Sequence, residues 1–355
     1  MIRIKNSVIQ LPAYEVPQKA KIKLNQNESP YDIPLQYKRE ILHYLKKLSW
    51  NRYPSDNAHE LKSRLARYTD HSEDGIMLGN GSNELILTIL LATCDRADDI
   101  MLVTPGFAIY QYFAKILNLH VTEIPLQEDF SFDIDAMVRQ SHKSKVIFFA
   151  SPNNPTGTVM EISAIEQIAK KSRGLVVVDE AYHEFHRLSA QRLIGRYKNL
   201  LILRTFSKAF GLAGIRLGYV LGSSSVIRQV GKAKPPFSVG IFQQVVARVM
   251  LEKKKFVQET AARIIKERER MFERLNNIAG VKPIPSRANF ILFGLNRLSA
   301  SQLFENLYAK GILVRRFNHP CLKNMLRVTV GTAENNQLFL RSLQGCIRNL
   351  EVTNA

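Results

Sequence analysis

The chain has 355 residues, 45% hydrophobic and 23% charged, which exceeds one small core and fits two domains. No apolar run approaches the roughly 20 residues that cross a bilayer, so a membrane protein is not expected. Fifty basic against 31 acidic residues give a net charge of +19, yet the basic residues are dispersed and no helix-turn-helix, zinc-finger or RNP-like pattern appears.

In chain order, the start Met1-Ile2-Arg3-Ile4-Lys5-Asn6 lacks the long apolar segment of a secretory leader. Residues 1–30 read as an extended N-terminal arm that ends in Leu24-Asn25-Gln26-Asn27-Glu28-Ser29-Pro30. Arg52-Tyr53-Pro54 reads as a turn. Gly79-Asn80-Gly81-Ser82-Asn83-Glu84 precedes the apolar run Leu85–Leu91, which reads as a buried helix whose first amides can meet an anion. A capping box fits Ser82 less well, because Glu84 follows by two residues rather than three. Thr104-Pro105-Gly106-Phe107-Ala108-Ile109-Tyr110 carries two aromatics, of which Tyr110 reads as core.

Three polar motifs follow, two of them at the ends of apolar runs. Lys145–Ala150 runs into Ser151-Pro152-Asn153-Asn154-Pro155-Thr156-Gly157, strong turn chemistry. Gly174–Val178, a buried parallel strand by its β-branched content, runs into Asp179-Glu180-Ala181-Tyr182. Thr205-Phe206-Ser207-Lys208 opens a glycine-punctuated stretch that carries Arg216 and ends at Gly218. In α/β proteins ligand groups sit at the carboxyl ends of strands, so all three motifs point at one rim of one sheet. Each has an ordinary reading in isolation: a helix cap for Asp179, a core aromatic for Tyr182, a surface charge for Lys208.

Alternating strand and helix patterns reach roughly Gly240, giving a large domain over 31–240 with a mainly parallel sheet flanked by helices. Lys234-Pro235-Pro236-Phe237 breaks the pattern before a helical stretch from about Ile241 to Asn277. Within it, Lys253-Lys254-Lys255 and Lys266-Glu267-Arg268-Glu269-Arg270 read as solvated faces. Residues 241–355 are expected to hold this interdomain helix and a smaller α+β domain. Three widely spaced cysteines, Cys94, Cys321 and Cys346, fit neither a disulfide framework nor a metal site, and a cytoplasmic protein is expected.

A lysine becomes a covalent catalyst of carbonyl chemistry when a confined, cation-rich pocket lowers its pKa. A strand-end carboxylate can hold a pyridine nitrogen protonated, and hydroxyls with an arginine suit a phosphate. The ordered set SPNNPTG, VVVDEAY and TFSKAFGLAGIRLGY resembles the fold-type I aminotransferases that depend on pyridoxal 5'-phosphate (PLP). The similarity extends from Leu24-Asn25-Gln26-Asn27 to Leu326-Arg327-Val328-Thr329-Val330-Gly331-Thr332, and is strongest to the branch acting on histidinol phosphate.

The resemblance implies a fold-type I α/β transferase and gives each matching residue a role. Lys208 is the Schiff-base lysine and acid–base, Asp179 the pyridinium partner, and Asn154 and Tyr182 donors to the phenolic oxygen. Ser82, Asn83, Thr205, Ser207 and Arg216 form the phosphate cluster, although the branch usually has aspartate at Asn83. Phe107 stands where the ring-covering aromatic is more often tyrosine. Tyr53 reaches the cofactor of a second subunit, which implies a homodimer with a shared site. Tyr14, Arg315 and Arg327 take the substrate's anionic groups, with Arg315 favoured over Arg316 by spacing. The implied reaction moves the amino group of histidinol phosphate to 2-oxoglutarate, a step of histidine biosynthesis. An aromatic aminotransferase or an amino-acid-phosphate decarboxylase would keep the same cofactor residues, and a non-catalytic regulator that binds nucleic acid is the alternative of another class.

Overall fold

The computed structural model describes residues 3–11, 20–55, 58–296 and 298–354. Its strands in chain order are β1 (Ile22–Lys23), β2 (Ile76–Gly79), β3 (Asp99–Thr104), β4 (His120–Pro125), β5 (Val146–Ala150), β6 (Leu175–Asp179) and β7 (Leu200–Thr205). They continue with β8 (Gly218–Leu221), β9 (Val281–Pro283), β10 (Phe290–Leu295), β11 (Ile312–Leu313), β12 (Arg315–Arg316) and β13 (Met325–Thr329). Among the described residues a seven-stranded sheet runs β2-β8-β7-β6-β5-β3-β4, with β8 alone antiparallel to its neighbours.

The central strands are mostly apolar because both faces are covered. Alternate side chains divide between two cores. Ile147, Phe149, Val176, Val178 and Ile202 enter one; Val146, Phe148, Val177, Leu201 and Leu203 enter the other. The strands therefore cannot slip by one residue without swapping cores. Their fixed register brings the ends Thr104, Ala150, Asp179 and Thr205 to a common rim, with Ala150 beside Asp179. Gly218 starts β8 at the same rim, between Gly79 and Thr205.

The smaller sheet, β12-β13-β10-β9, is antiparallel and packs Phe293 and Leu326 against Leu303, Phe339 and Leu343 of the helices Ala300–Ala309 and Ala333–Asn354. The helix Lys254–Asn276 serves both parts. Val257, Ala261 and Ile264 join the large-sheet core, Met271 and Leu275 the small one. No helix among the described residues is long and apolar enough to cross a membrane.

Three local expectations need correction. The arm is not simply extended: it holds a short helix, Asn6–Ile9, and β1, which pairs with β11. The stretch 241–277 is two helices, Ile241–Glu252 and Lys254–Asn276, parted at Lys253, whose ammonium turns to Glu40 at 2.8 Å. The run 266–270 is not wholly solvated either. Arg268 is buried and donates to the Ala288 carbonyl at 3.1 Å, so the small domain draws it in.

Behind the rim lies a buried ion pair. Arg204 Nε and Nη2 donate to Glu180 Oε2 at 3.0 and 2.8 Å, and Glu180 also accepts from Ser189 Oγ and the Ala190 amide. Both residues are buried, so every lone pair must be answered inside. Glu180→Gln should leave the Arg204 guanidinium buried without its counter-charge, at a cost of about 3–5 kcal/mol. The urea midpoint of the cofactor-free protein reads this, and replacing both residues by leucine and methionine should recover most of it. A single variant as stable as the parent would mean that the pair carries no such weight.

Candidate active site

Lys208 follows β7 in a turn anchored by the buried rings of Phe206 and Phe210. Its Nζ donates to the Gln26 carbonyl at 2.9 Å and lies 5.9 Å from the centre of the Tyr182 ring. Burial first, and after it the positive charge of Arg327, lowers its pKa from the ordinary 10.5 to about 7. Asp179, the last residue of β6, is 3% exposed. Burial pushes its carboxyl up to about 6, opposed by hydrogen bonds from the Tyr110 hydroxyl at 2.7 Å and the Ala181 amide at 3.0 Å.

Tyr110 is thus more than the core aromatic expected. Its ring stacks on Phe148 at 5.1 Å and meets Phe107 edge-on at 5.5 Å, while its hydroxyl serves the site carboxylate. Its place one helical turn after Phe107 was the available signal.

On the other side of Lys208 the donors converge. Thr205 Oγ1 donates to Ser207 Oγ at 3.0 Å, and Arg216 Nη1 reaches the same Ser207 oxygen at 3.4 Å. The helix Gly81–Thr93 begins beside them with Ser82 and Asn83 in its first turn. Its start is closed by Glu84, which accepts from the Asn80 amide, so the cap is set one residue later than a capping box. A Cβ on Gly218 would lie 2.7 Å from the Ser82 nitrogen, and one on Gly81 would lie 2.5 Å from Arg216 Nη2. Both glycines keep this hollow open. Gln243 braces it from outside, donating to Asn80 Oδ1 at 3.1 Å and the Arg216 carbonyl at 2.9 Å.

Arg327 projects from β13 and is buried. It donates to the Asn25 carbonyl at 2.7 Å and to Asn154 Oδ1, with Phe290 and Phe317 rings 5.0 and 5.8 Å from its guanidinium carbon. Asn153, fully buried, holds the turn that presents Asn154 by donating to the Pro105 carbonyl and Thr156 Oγ1, each at 3.0 Å. Arg315 pairs directly with Arg327 in the β12–β13 ladder, so both side chains leave on one face. Arg316 leaves on the other, 3.6 Å from Glu305 and against the Phe304 ring. The Tyr182 hydroxyl accepts from Asn27 Nδ2 at 2.9 Å. Tyr53 stands outside this cluster, 83% exposed and stacked on Phe237 at 4.8 Å. Tyr14 lies outside the described residues.

Hydroxyls with an arginine and a helix start, a buried carboxylate and an amine of lowered pKa suit the dianion, ring nitrogen and aldehyde of PLP. The residues fit that group: a side chain on Gly218 or Gly81 would collide with the Ser82 amide or the Arg216 guanidinium, the donors that a phosphate needs. Among the described residues no group of acids, histidines or cysteines is arranged to hold a metal.

The family model for aminotransferases of class I and II matches residues 19–343. Histidinol-phosphate aminotransferase of Thermococcus gammatolerans is 39% identical over 324 residues, 91% of either chain. That of Prosthecochloris aestuarii is 35% identical over 343 residues, 95% of this chain and 96% of its own. The crystal structure of histidinol-phosphate aminotransferase from Clostridium acetobutylicum superposes with a TM-score of 0.85 at 27% identity, covering 93% of this chain and all of that one. With its large mixed sheet, its small antiparallel domain and a lysine at the rim between them, the chain belongs to the class I and II aminotransferase family, among the histidinol-phosphate aminotransferases.

Proposed function

We propose that this enzyme transfers the amino group of histidinol phosphate to 2-oxoglutarate, with Lys208 as its central catalytic residue. The observation that carries the reading is the Lys208 amine, held near neutrality between Asp179 and Arg327. When bound, PLP supplies the electrophilic carbon and the electron sink that make the substrate's α-proton acidic.

The chain's own residues do the rest. Lys208 Nζ takes the proton from the substrate carbon that bears the amino group, a task suited to a base of pKa about 7. Asp179 sets a negative charge against the ring nitrogen, Asn154 and Tyr182 donate to the phenolic oxygen, and Phe107 covers one ring face. Ser82, Thr205, Ser207 and Arg216 bind the phosphate, with Asn83 beside them. Arg327 and Arg315 take the phosphate of the donor in one half-reaction and a carboxylate of 2-oxoglutarate in the other. Tyr14 closes over the substrate.

We further place the enzyme in the cytoplasm, in keeping with its three free cysteines, and read it as a homodimer with a shared site. Trp50 is 63% exposed and meets Phe242 at 5.0 Å, and Tyr53 stacks on Phe237. Both exposed pairs are read as parts of the subunit interface, across which Tyr53 reaches the phosphate of the cofactor in the second subunit.

Single amino donors mixed with the PLP-loaded enzyme, without a keto acid, test the reaction. L-Histidinol phosphate should bleach the visible band at low concentration, whereas phenylalanine and threonine phosphate should not. Lys208→Ala should lose turnover by more than about 10³-fold. Bleaching by phenylalanine alone would move the substrate to aromatic amino acids.

Asp179→Asn separates stability from function. Because burial raises the folded carboxyl from 3.8 to about 6, the folded state holds a proton that the unfolded chain releases between those values. Stability therefore falls as pH rises through this window. The asparagine variant without cofactor should gain up to roughly 3 kcal/mol at pH 7 and nothing at pH 4, while the loaded enzyme loses most activity. Equal melting temperatures at pH 7 would count against a costly buried carboxylate.

Trp50→Glu should turn the dimer into monomers in sedimentation and loosen the cofactor. Monomers that hold PLP as tightly as the parent would rule out a contribution of Tyr53 across subunits.

A further inference from the structure

The motif segment Asn25-Gln26-Asn27 has no chemical task in the reading above, yet three consecutive residues each touch a different site group. The Asn25 carbonyl accepts from Arg327 at 2.7 Å, the Gln26 carbonyl accepts from Lys208 at 2.9 Å, and Asn27 Nδ2 donates to the Tyr182 hydroxyl at 2.9 Å. Asn27 is 1% exposed and left-handed, with φ of 55°, a conformation asparagine tolerates better than most residues.

The surroundings of Asn27 decide which end of its amide points where. Thr329 Oγ1 accepts from the Asn27 backbone amide at 2.9 Å, so its own proton is free to go to Asn27 Oδ1 at 3.2 Å. That occupies the carbonyl end and turns Nδ2, which can only donate, onto Tyr182. The Asn27 carbonyl is held by Asn289 Nδ2 at 3.0 Å, which fixes the residue from a further side. Tyr182, itself 4% exposed and edge-on to Phe290, therefore accepts on this side and must send its proton elsewhere.

We infer that Asn27 is a positioning residue that sets the polarity of the Tyr182 hydroxyl, keeping its proton for the cofactor's phenolic oxygen. This rests on the reading of Tyr182 as a cofactor contact. An acceptor at position 27 reverses the bond and draws the phenolic proton away from the site. The arm thereby acts on the electronics of the site through Tyr182, without touching the cofactor.

The readout is the pH midpoint at which the visible band of the PLP-loaded enzyme changes, with the dissociation constant of PLP measured beside it. A donor on the phenolic oxygen draws electron density from the conjugated ring and holds that midpoint down. Asn27→Asp, which keeps shape and tolerates the backbone conformation, should raise the midpoint by about one pH unit. Tyr182→Phe should raise it similarly, and Asn27→Asp should add nothing in the Tyr182→Phe background. An equal rise in both backgrounds would mean the new carboxylate acts through its charge alone and would overturn the inference. So would an unmoved midpoint in Asn27→Asp when Tyr182→Phe moves it. If Tyr182→Phe itself leaves the midpoint in place, the reading of Tyr182 beneath the inference fails instead. Should Asn27→Asp not fold, Thr329→Val removes the hydroxyl that orients the amide. A smaller rise supports the inference, and no change of midpoint overturns it.

Discussion

Burial makes the space between Asp179 and Lys208 hostile to charge, and both groups sit there with shifted proton affinities, the carboxyl near 6 and the amine near 7. In water each would be charged at neutral pH. The protein accepts the cost of desolvation because chemistry at a substrate carbon needs a neutral amine, and a ring nitrogen needs a fixed negative partner. The shifts persist because the surroundings do not relax. The strand that carries Asp179 is packed on both faces in two separate cores, so burial outweighs the hydrogen bonds from Tyr110 and the Ala181 amide, which alone would lower the carboxyl. A site on mobile loops would let water in and return both groups to ordinary values.

The positive charges have two uses. Arg327 is oriented by Asn25 and Asn154 and faces the same way as Arg315, an arrangement made for an anion. Its field also lowers the affinity of Lys208 for a proton, next in weight after burial, and Arg216 pushes in the same direction. Glu28 and Asp179 oppose them. The orientation of Arg327 and the proton affinity of Lys208 are therefore coupled, and a substitution at Arg327 acts on both.

What the sequence made legible is what local chemistry decides. The runs at 145–150 and 174–178 are apolar over most of their length because both faces are buried, and their polar ends carry turn signals, so Asn154 and Asp179 could be placed on one rim with the motif around Lys208. Contacts between distant segments were not legible. The Tyr110–Asp179 bond joins positions 69 residues apart and the Asn27–Tyr182 bond 155 apart. Arg268 sits in a run whose composition reads as solvent-facing, and only the Ala288 carbonyl from another element explains its burial. The break at Lys253 carries no glycine or proline, and no local signal marks it; there the lysine pairs with Glu40 of another helix. For Tyr53 the local signal exists, but within this chain its ring stays exposed and away from the site.

The N-terminal arm shows how the two halves of the molecule share one site. Leu24 is stitched between both sheets of the smaller half, its amide to the Leu313 carbonyl at 2.8 Å and its carbonyl to the Thr329 amide at 2.9 Å. The next three residues reach Arg327 of the small domain and Lys208 and Tyr182 of the large one. Backbone carbonyls and a pinned amide are well suited to this, because they have fixed directions and no charge to add to a pocket already crowded with it. A shift of the small domain against the large sheet must therefore disturb the Arg327 guanidinium, the Lys208 amine and the Tyr182 phenol together. The arm links the placement of the domains to the direction of individual protons, which rigid packing of either domain alone cannot do.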